Sequence, residues 1–230
     1  MGYTPLGSVE PNSCYRCNSL ATTREHAPPK CFFPEAKDVG RDLRRNLISV
    51  PSCKEHNTAK SDDDQYVMAV VVMHFQTRGV AEDQFATKVV RTLKRSHPLI
   101  DRVFARPRGV TLEGHPTMAV TVDRSRFDRV MACTCHALVY HQTGNKLRVD
   151  FTVFTPGIVY PNLERDESEA VLAFSMRQAL KGRPQVGENP DVFWYQFVRE
   201  DQLTAMRLEF YGGFSVYAVA DERASASPER

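Results

Sequence analysis

Apolar and polar positions along the chain change period several times, and each change predicts an element. Leu20 to Ala27 reads as a short strand stopped by Pro28-Pro29, since proline donates no ladder hydrogen bond and restricts the residue before it. Leu47–Val50 reads as a second strand, ended by Pro51. Ser52-x-x-Glu55 has the form of a capping box and predicts a helix from Cys53. A second box, Ser61-x-x-Asp64, predicts a helix to about Gln76, with Tyr66, Val67, Val70, Val71 and Phe75 on one broad face and Gly79 as its stop. A third helix, Ala81–Arg95, spaces Phe85, Val89 and Leu93 along one stripe. The pattern then turns mixed: a strand over Thr117–Val122, a helix over Arg126–His141 capped by Asp123 or Ser125 and closed near Gly144, and an alternating strand over Leu147–Thr155. Asp166-x-x-Glu169 opens another helix to about Leu180. Asp191–Val198 and Ala205–Ala220 are strand-rich, with Gly212-Gly213 as a hairpin turn. Residues 1–13 read as an irregular lead-in, Lys30 to Arg45 as a loop, and the tail ERASASPER as disordered.

Composition narrows the class. With 42% apolar and 25% charged residues in 230, the chain reads as a soluble globular protein of one large or two small domains. It holds no run of about 18 apolar residues, so no membrane span is expected. The N-terminus MGYTPLGSVEPNSC lacks the basic and apolar regions of a secretory signal, and Leu6 stands where a myristoylation pattern wants Ser or Thr. Six cysteines, four of them near the N-terminus, fit metal binding in a reducing compartment better than a disulfide framework, which predicts a cytoplasmic location. Residues 1–150 carry 22 Lys/Arg against 16 Asp/Glu, while residues 151–230 carry 8 against 12. The first part is therefore the one suited to a polyanion.

The chemistry concentrates in that first part. Cys14-x-x-Cys17 and Cys53-x-x-His56 are two ligand pairs, each able to reach one tetrahedral ion, and together they form a Cys₃His structural zinc site across 35 intervening residues. If Cys53 opens a helix, His56 and Asn57 point about 100° apart, so one can face zinc while the other faces a cleft. Cys133 and Cys135 are two apart and read as buried small hydrophobes rather than a second site. His74, His97, His115, His136 and His141 are isolated and read as structural or surface residues.

The ordered fragments CYRC, TTREHAPPK and RRNLISVPSCKEHNTAKSDDD, from Cys14 to Asp64, resemble the HNH endonuclease family. The resemblance covers about 50 residues and implies a ββα-metal core. It implies His26 as general base, Glu25 and Asn57 as ligands of a catalytic Mg²⁺ or Mn²⁺, and Asn46 as the residue that orients the hairpin. Lys60 matches a family lysine that either touches phosphate or supports the fold. Three departures stand out: Glu at position 25 for the commoner Asp, His56 for a fourth Cys, and a long interval between His26 and Asn46. That interval holds Arg41, Arg44 and Arg45, which read as phosphate contacts or a solvated basic face. Arg91 and Lys94 on the third helix offer a second nucleic-acid surface, or a solubilising one.

The resulting expectation is an α+β chain: a zinc-stabilised HNH core over 1–64, a basic helical segment over 65–110, an α+β accessory domain with its own core over 111–222, and a tail over 223–230. The expected function is metal-dependent hydrolysis of DNA phosphodiester bonds, nicking as a monomer and cutting both strands if dimeric, in a phage or anti-phage setting by family analogy. The C-terminal region would serve docking to a second copy or a partner protein. The alternatives are a non-catalytic zinc-knuckle nucleic-acid-binding protein and a nuclease acting on RNA.

Overall fold

The structure, a computed structural model, describes residues 12–112, 114–156, 158 and 163–223. The expected tail, apart from Glu222 and Arg223, and most of the expected lead-in lie outside these residues, as does the side chain of the expected cap Asp166.

Two short strands, β1 (Thr23–His26) and β2 (Ser49–Ser52), pair antiparallel with Glu25 opposite Val50 and His26 opposite Ser49. Alternation along the pair turns Glu25, Val50 and Ser52 inward and leaves Arg24, His26, Ser49 and Pro51 on the outer face. Pro51 does not end β2 as expected; it sits inside the strand. Its carbonyl accepts from the Tyr15 N–H at 2.8 Å, on the side away from β1, so its missing N–H costs no bond to β1.

The helix expected from Cys53 is absent. Residues 54–57 form bends and turns, Thr58–Lys60 a 3₁₀ turn, and the helix α2 begins at Ser61 and runs to Val72. Neither capping box is made. Ser52 belongs to β2 and its buried hydroxyl donates to the Cys53 carbonyl, while the residue at the N-cap of α2 is Lys60, without a side-chain cap bond. After the short α1 (Ala36–Val39), the third expected helix appears as α3 (Val80–Gln84), a π turn (Phe85–Val89) and α4 (Val90–Arg95). The helix α5 (His97–Val103) and the hairpin β3 (Arg108–Leu112)–β4 (His115–Ala119) follow. Of these three, only β4 overlaps an expected element.

The 20-residue helix α6 (Arg124–Thr143) matches its signals closely. Asp123 accepts from the Arg126 N–H at its start, and Gly144 closes it with φ 69°. It packs against α2, both strands of the first hairpin, β5 (Thr152–Phe154) and β9 (Phe214–Asp221). A five-stranded antiparallel sheet, in the order β5, β9, β8 (Leu203–Phe210), β7 (Phe193–Glu200), β6 (Val186–Asn189), completes the chain. Its apolar face holds Tyr195, Met206, Leu208, Phe210, Phe214 and Val216, and meets α6 through Phe127 on Phe214 and Gln142 on Tyr195. The opposite face meets α7 (Leu163–Ala179) and its C-terminal end through Arg177 on Tyr217 and Gln196 on the Leu180 carbonyl.

Among the described residues, the region expected over 111–222 as a separate accessory domain shares its buried core with the N-terminal segment. One buried cluster runs from Cys14 and Phe32 through α2 and α6 to Phe210 and Ala220. The Tyr211 hydroxyl donates to the Phe32 carbonyl at 2.6 Å, and Asn189 donates to the Arg45 carbonyl at 2.9 Å, so the sheet is bonded directly to the N-terminal segment. A chain of this length buries more of its surface as one unit than as two.

The turn between β8 and β9 is pressed against the loop after α2, and this gives a test. A Cβ on Gly213 would lie 1.9 Å from the Gln76 carbonyl oxygen, whereas Gly212 has open space but φ +65°. Gly212→Ala should lower stability by about 1 kcal/mol, the cost of a left-handed residue with a Cβ. Gly213→Ala should cost about 1–3 kcal/mol, since backbone must move. Denaturant midpoints of the two variants measure the difference, and equal midpoints would contradict the close approach.

Candidate functional site

Cys14, Cys17, Cys53 and His56 converge, with all four ligand atoms within 4.8 Å of one another. The Cys17 and Cys53 sulfurs are 3.8 Å apart, and His56 Nδ1 lies 3.7 Å from Cys14 Sγ and 3.2 Å from Cys53 Sγ. A tetrahedral zinc with bonds near 2.3 Å to sulfur and 2.0–2.1 Å to nitrogen has edges of about 3.8 Å between sulfurs and about 3.5 Å between sulfur and nitrogen. The donor set and its spacing fit a structural ion such as zinc. Burial holds the His56 imidazole below the ordinary histidine value; Glu55 opposes this and Arg16 and Lys60 add to it, so the neutral, ligating form is favoured. Tyr15 packs edge-on to the His56 ring, and Lys146 from the loop after α6 donates to the Cys17 carbonyl at 2.7 Å. Among the described residues this is the one group of three or more His, Cys, Asp or Glu that could hold a metal.

The hairpin beside this cluster divides into two faces. Inward, Glu25 is buried, and Lys60 Nζ stands 2.7 Å from Glu25 Oε1 and 2.7 Å from Asp64 Oδ1. Outward, His26 is half-buried; burial holds its imidazole below the ordinary value, and Lys30 and Arg24 push it the same way. A neutral ring near pH 7 is the form that accepts a proton. Asn57 donates from Nδ2 to the Arg24 carbonyl at 3.0 Å, which ties the turn after the second ligand pair to β1.

The remaining expected site residues fall in different settings. Lys60 does not reach outward to phosphate: its ammonium is taken by two carboxylates in the interior, which makes it a fold residue. Asn46 has φ 51° and lies just before β2, lining a cavity of about 450 Å³ with Arg41, Arg45, Glu188 and Asp191. Arg41 pairs with Asp191 at 2.7 Å, Arg44 with Glu35 at 3.4 Å, and Arg91 with Asp38 through both guanidinium nitrogens. Glu188 and Asp191 make that cavity a poor groove for a polyanion. Arg45 and Lys94 are exposed.

The catalytic divalent ion implied by the resemblance does not fit this arrangement. Glu25, its one carboxylate ligand, is buried and engaged by Lys60. Two residues that sequence reasoning passed over stand next to His26 instead: Arg24 and Lys30. The signal for Arg24 is in the sequence, because residues two apart on a strand share a face. Comparison with family models, with curated proteins and with solved structures finds no match. No helix among the described residues is long and apolar enough to cross a membrane.

Two outcomes follow. Purified protein should carry about one zinc per chain, and Cys53→Ser should lose both zinc and folded structure, because structural zinc supplies folding energy directly. Elemental analysis of well-folded protein that finds no zinc would remove the assignment. The second outcome concerns pH. Burial raises Glu25 to about 7 from 4.5; Lys60 opposes this, and Asp64 adds to it. A carboxyl raised in the fold favours the protonated native state. Its contribution is therefore complete below about pH 4.5 and is lost as pH rises towards 7. Glu25→Gln should flatten the pH dependence of the denaturant midpoint across that window, and an unchanged profile would show that Glu25 does not titrate there.

Proposed function

We propose that this chain is an endonuclease of the HNH type, a zinc-stapled ββα hydrolase of DNA phosphodiester bonds, with His26 as its general base. The observation that carries the reading is the division of the Cys14–Asp64 segment. The Cys₃His cluster and the Lys60 triad hold the hairpin, while the neutral imidazole of His26 stays on the outer face beside two cations. A structural role alone would not require a half-exposed histidine of depressed basicity between Arg24 and Lys30.

In the proposed step, His26 takes a proton from a water molecule. The water oxygen bonds to phosphorus, the bond from phosphorus to the 3′ oxygen breaks, and that oxygen takes a proton from solvent. Asn57 fixes the backbone of β1 at Arg24, and so holds both Arg24 and the adjoining stretch that carries His26. Zinc, when bound, braces the turn that carries Asn57 and takes no part in the proton transfer. With Glu25 committed to Lys60, no step is assigned to a second ion.

That commitment also favours the second reading, a zinc-knuckle module that binds nucleic acid without cutting it. Plasmid nicking separates the two. Wild-type protein should nick supercoiled plasmid, tested with Mg²⁺, with Mn²⁺ and without added divalent ion. His26→Ala should lower the rate about 10²–10⁴-fold, the usual contribution of a general base. Zinc content, melting temperature and DNA affinity should stay near wild type. If His26→Ala nicks as fast as its parent, the enzyme reading fails.

A further inference from the structure

Of the six cations expected to meet nucleic acid, Lys60 is buried and Arg41, Arg44 and Arg91 have carboxylate partners. Beside His26 the situation differs. Arg24 and His26 lie two apart on β1 and share its outer face, with Ser49 directly opposite His26. The Arg24 guanidinium reaches diagonally across the hairpin to that serine. Its Nε donates to Ser49 Oγ at 3.1 Å, and Nη2 donates to Ser49 Oγ at 3.0 Å and to the Ser49 carbonyl at 2.8 Å. Nη1 is left without a protein acceptor among the described residues, and Arg24 has no carboxylate partner there. Lys30, four residues beyond His26 at the start of a short 3₁₀ turn, is exposed and likewise unpaired among the described residues.

We infer that Arg24 and Lys30 form the clamp for the phosphodiester under attack, with Ser49 holding the Arg24 fork in place so that its free N–H groups face the phosphate beside His26. The assignment rests on the nuclease reading and deepens it, because it moves the polyanion contact from the Arg41–Arg45 loop and the third helix to the outer face of the hairpin. The physical case is preorganisation. A planar guanidinium held by three hydrogen bonds loses little freedom on meeting a phosphate oxygen, and its charge is not spent on an internal carboxylate. The two positive charges also act on the His26 ring, in the direction that keeps it neutral.

The experiment uses full-length, zinc-bearing protein in the His26→Ala background, so that binding is read without cleavage. Affinity for a short duplex is measured over a range of salt, without added divalent ion. Each lost phosphate contact lowers the slope of log K against log salt by about 0.9. Arg24→Ala and Lys30→Ala should each flatten the slope by about that amount, whereas Arg41→Ala and Arg91→Ala should leave it near the parent value. In the otherwise wild-type chain, Arg24→Lys should keep the slope yet nick more slowly, because lysine keeps the charge and lacks the fixed fork. Slopes unchanged in Arg24→Ala and Lys30→Ala, with zinc content equal to the parent, would overturn the clamp. If that result comes with His26-dependent nicking by the wild type, the clamp alone has failed. If the slopes flatten while wild-type protein never nicks, the enzyme reading has failed and the clamp stands as a polyanion-binding site.

Discussion

A lysine ammonium withdrawn from water between two carboxylates sets the orientation of the rest. Lys60, Glu25 and Asp64 come from the turn after the second ligand pair, from β1 and from α2, and each contact among them is 2.7 to 2.8 Å. Removing one partner from such a buried group costs about 3–5 kcal/mol, because the charge left behind has no water to replace it. The triad therefore fixes which face of β1 is inside. With Glu25 inward, strand alternation makes Arg24 and His26 outward, and the register with β2 brings Ser49 opposite His26. One buried lysine thus decides which residues of the hairpin face outward.

The Cys₃His cluster constrains the same hairpin from its other side. Cys14 and Cys17 precede β1, while Cys53 and His56 follow β2, so an ion at their centre closes the loop that contains both strands. Two four-residue strands would be marginal alone. They are held here by the Cys₃His cluster at their open ends, by Lys60 from below, and by α6 against their inner face. Arg24 and His26 are thereby attached to a braced element rather than to a free loop.

Much of this is legible in the sequence where the signal is local. The ligand pairs are readable because a two-residue spacing fits one tetrahedral ion, and α6 is readable because Asp123, its apolar stripe and Gly144 agree. The Ser52 capping box misleads because its serine is drawn into β2 and buried, where a tertiary demand outweighs a local one. The direction of Lys60 is not legible either: an exposed and a buried lysine look alike until their partners are known, and Glu25 lies 35 residues away. The same holds for Arg41 and Arg91, whose acids Asp191 and Asp38 are distant in sequence. Arg24 differs from these. Its place beside His26 follows from strand alternation alone.

The shared core changes what the C-terminal region is for. An appended domain would meet the hairpin through a separable, largely polar interface. Here Phe32 packs on Phe210 at 5.1 Å between ring centroids, Lys146 bonds to Ser13 and Cys17, and Asn189 holds the backbone at Arg45. These contacts come from the loop after α6, from β6 and from the sheet interior, so the segment that carries the Cys₃His cluster is completed by residues more than 100 positions later. The helix α6 packs on the inner side of the hairpin and carries the sheet on β5 and β9. The outer side, with Arg24 exposed and His26 half-buried, is what α6 leaves uncovered. A fold that places its longest helix against one face of a small hairpin leaves the opposite face, with Arg24 and His26, as the one open to solvent.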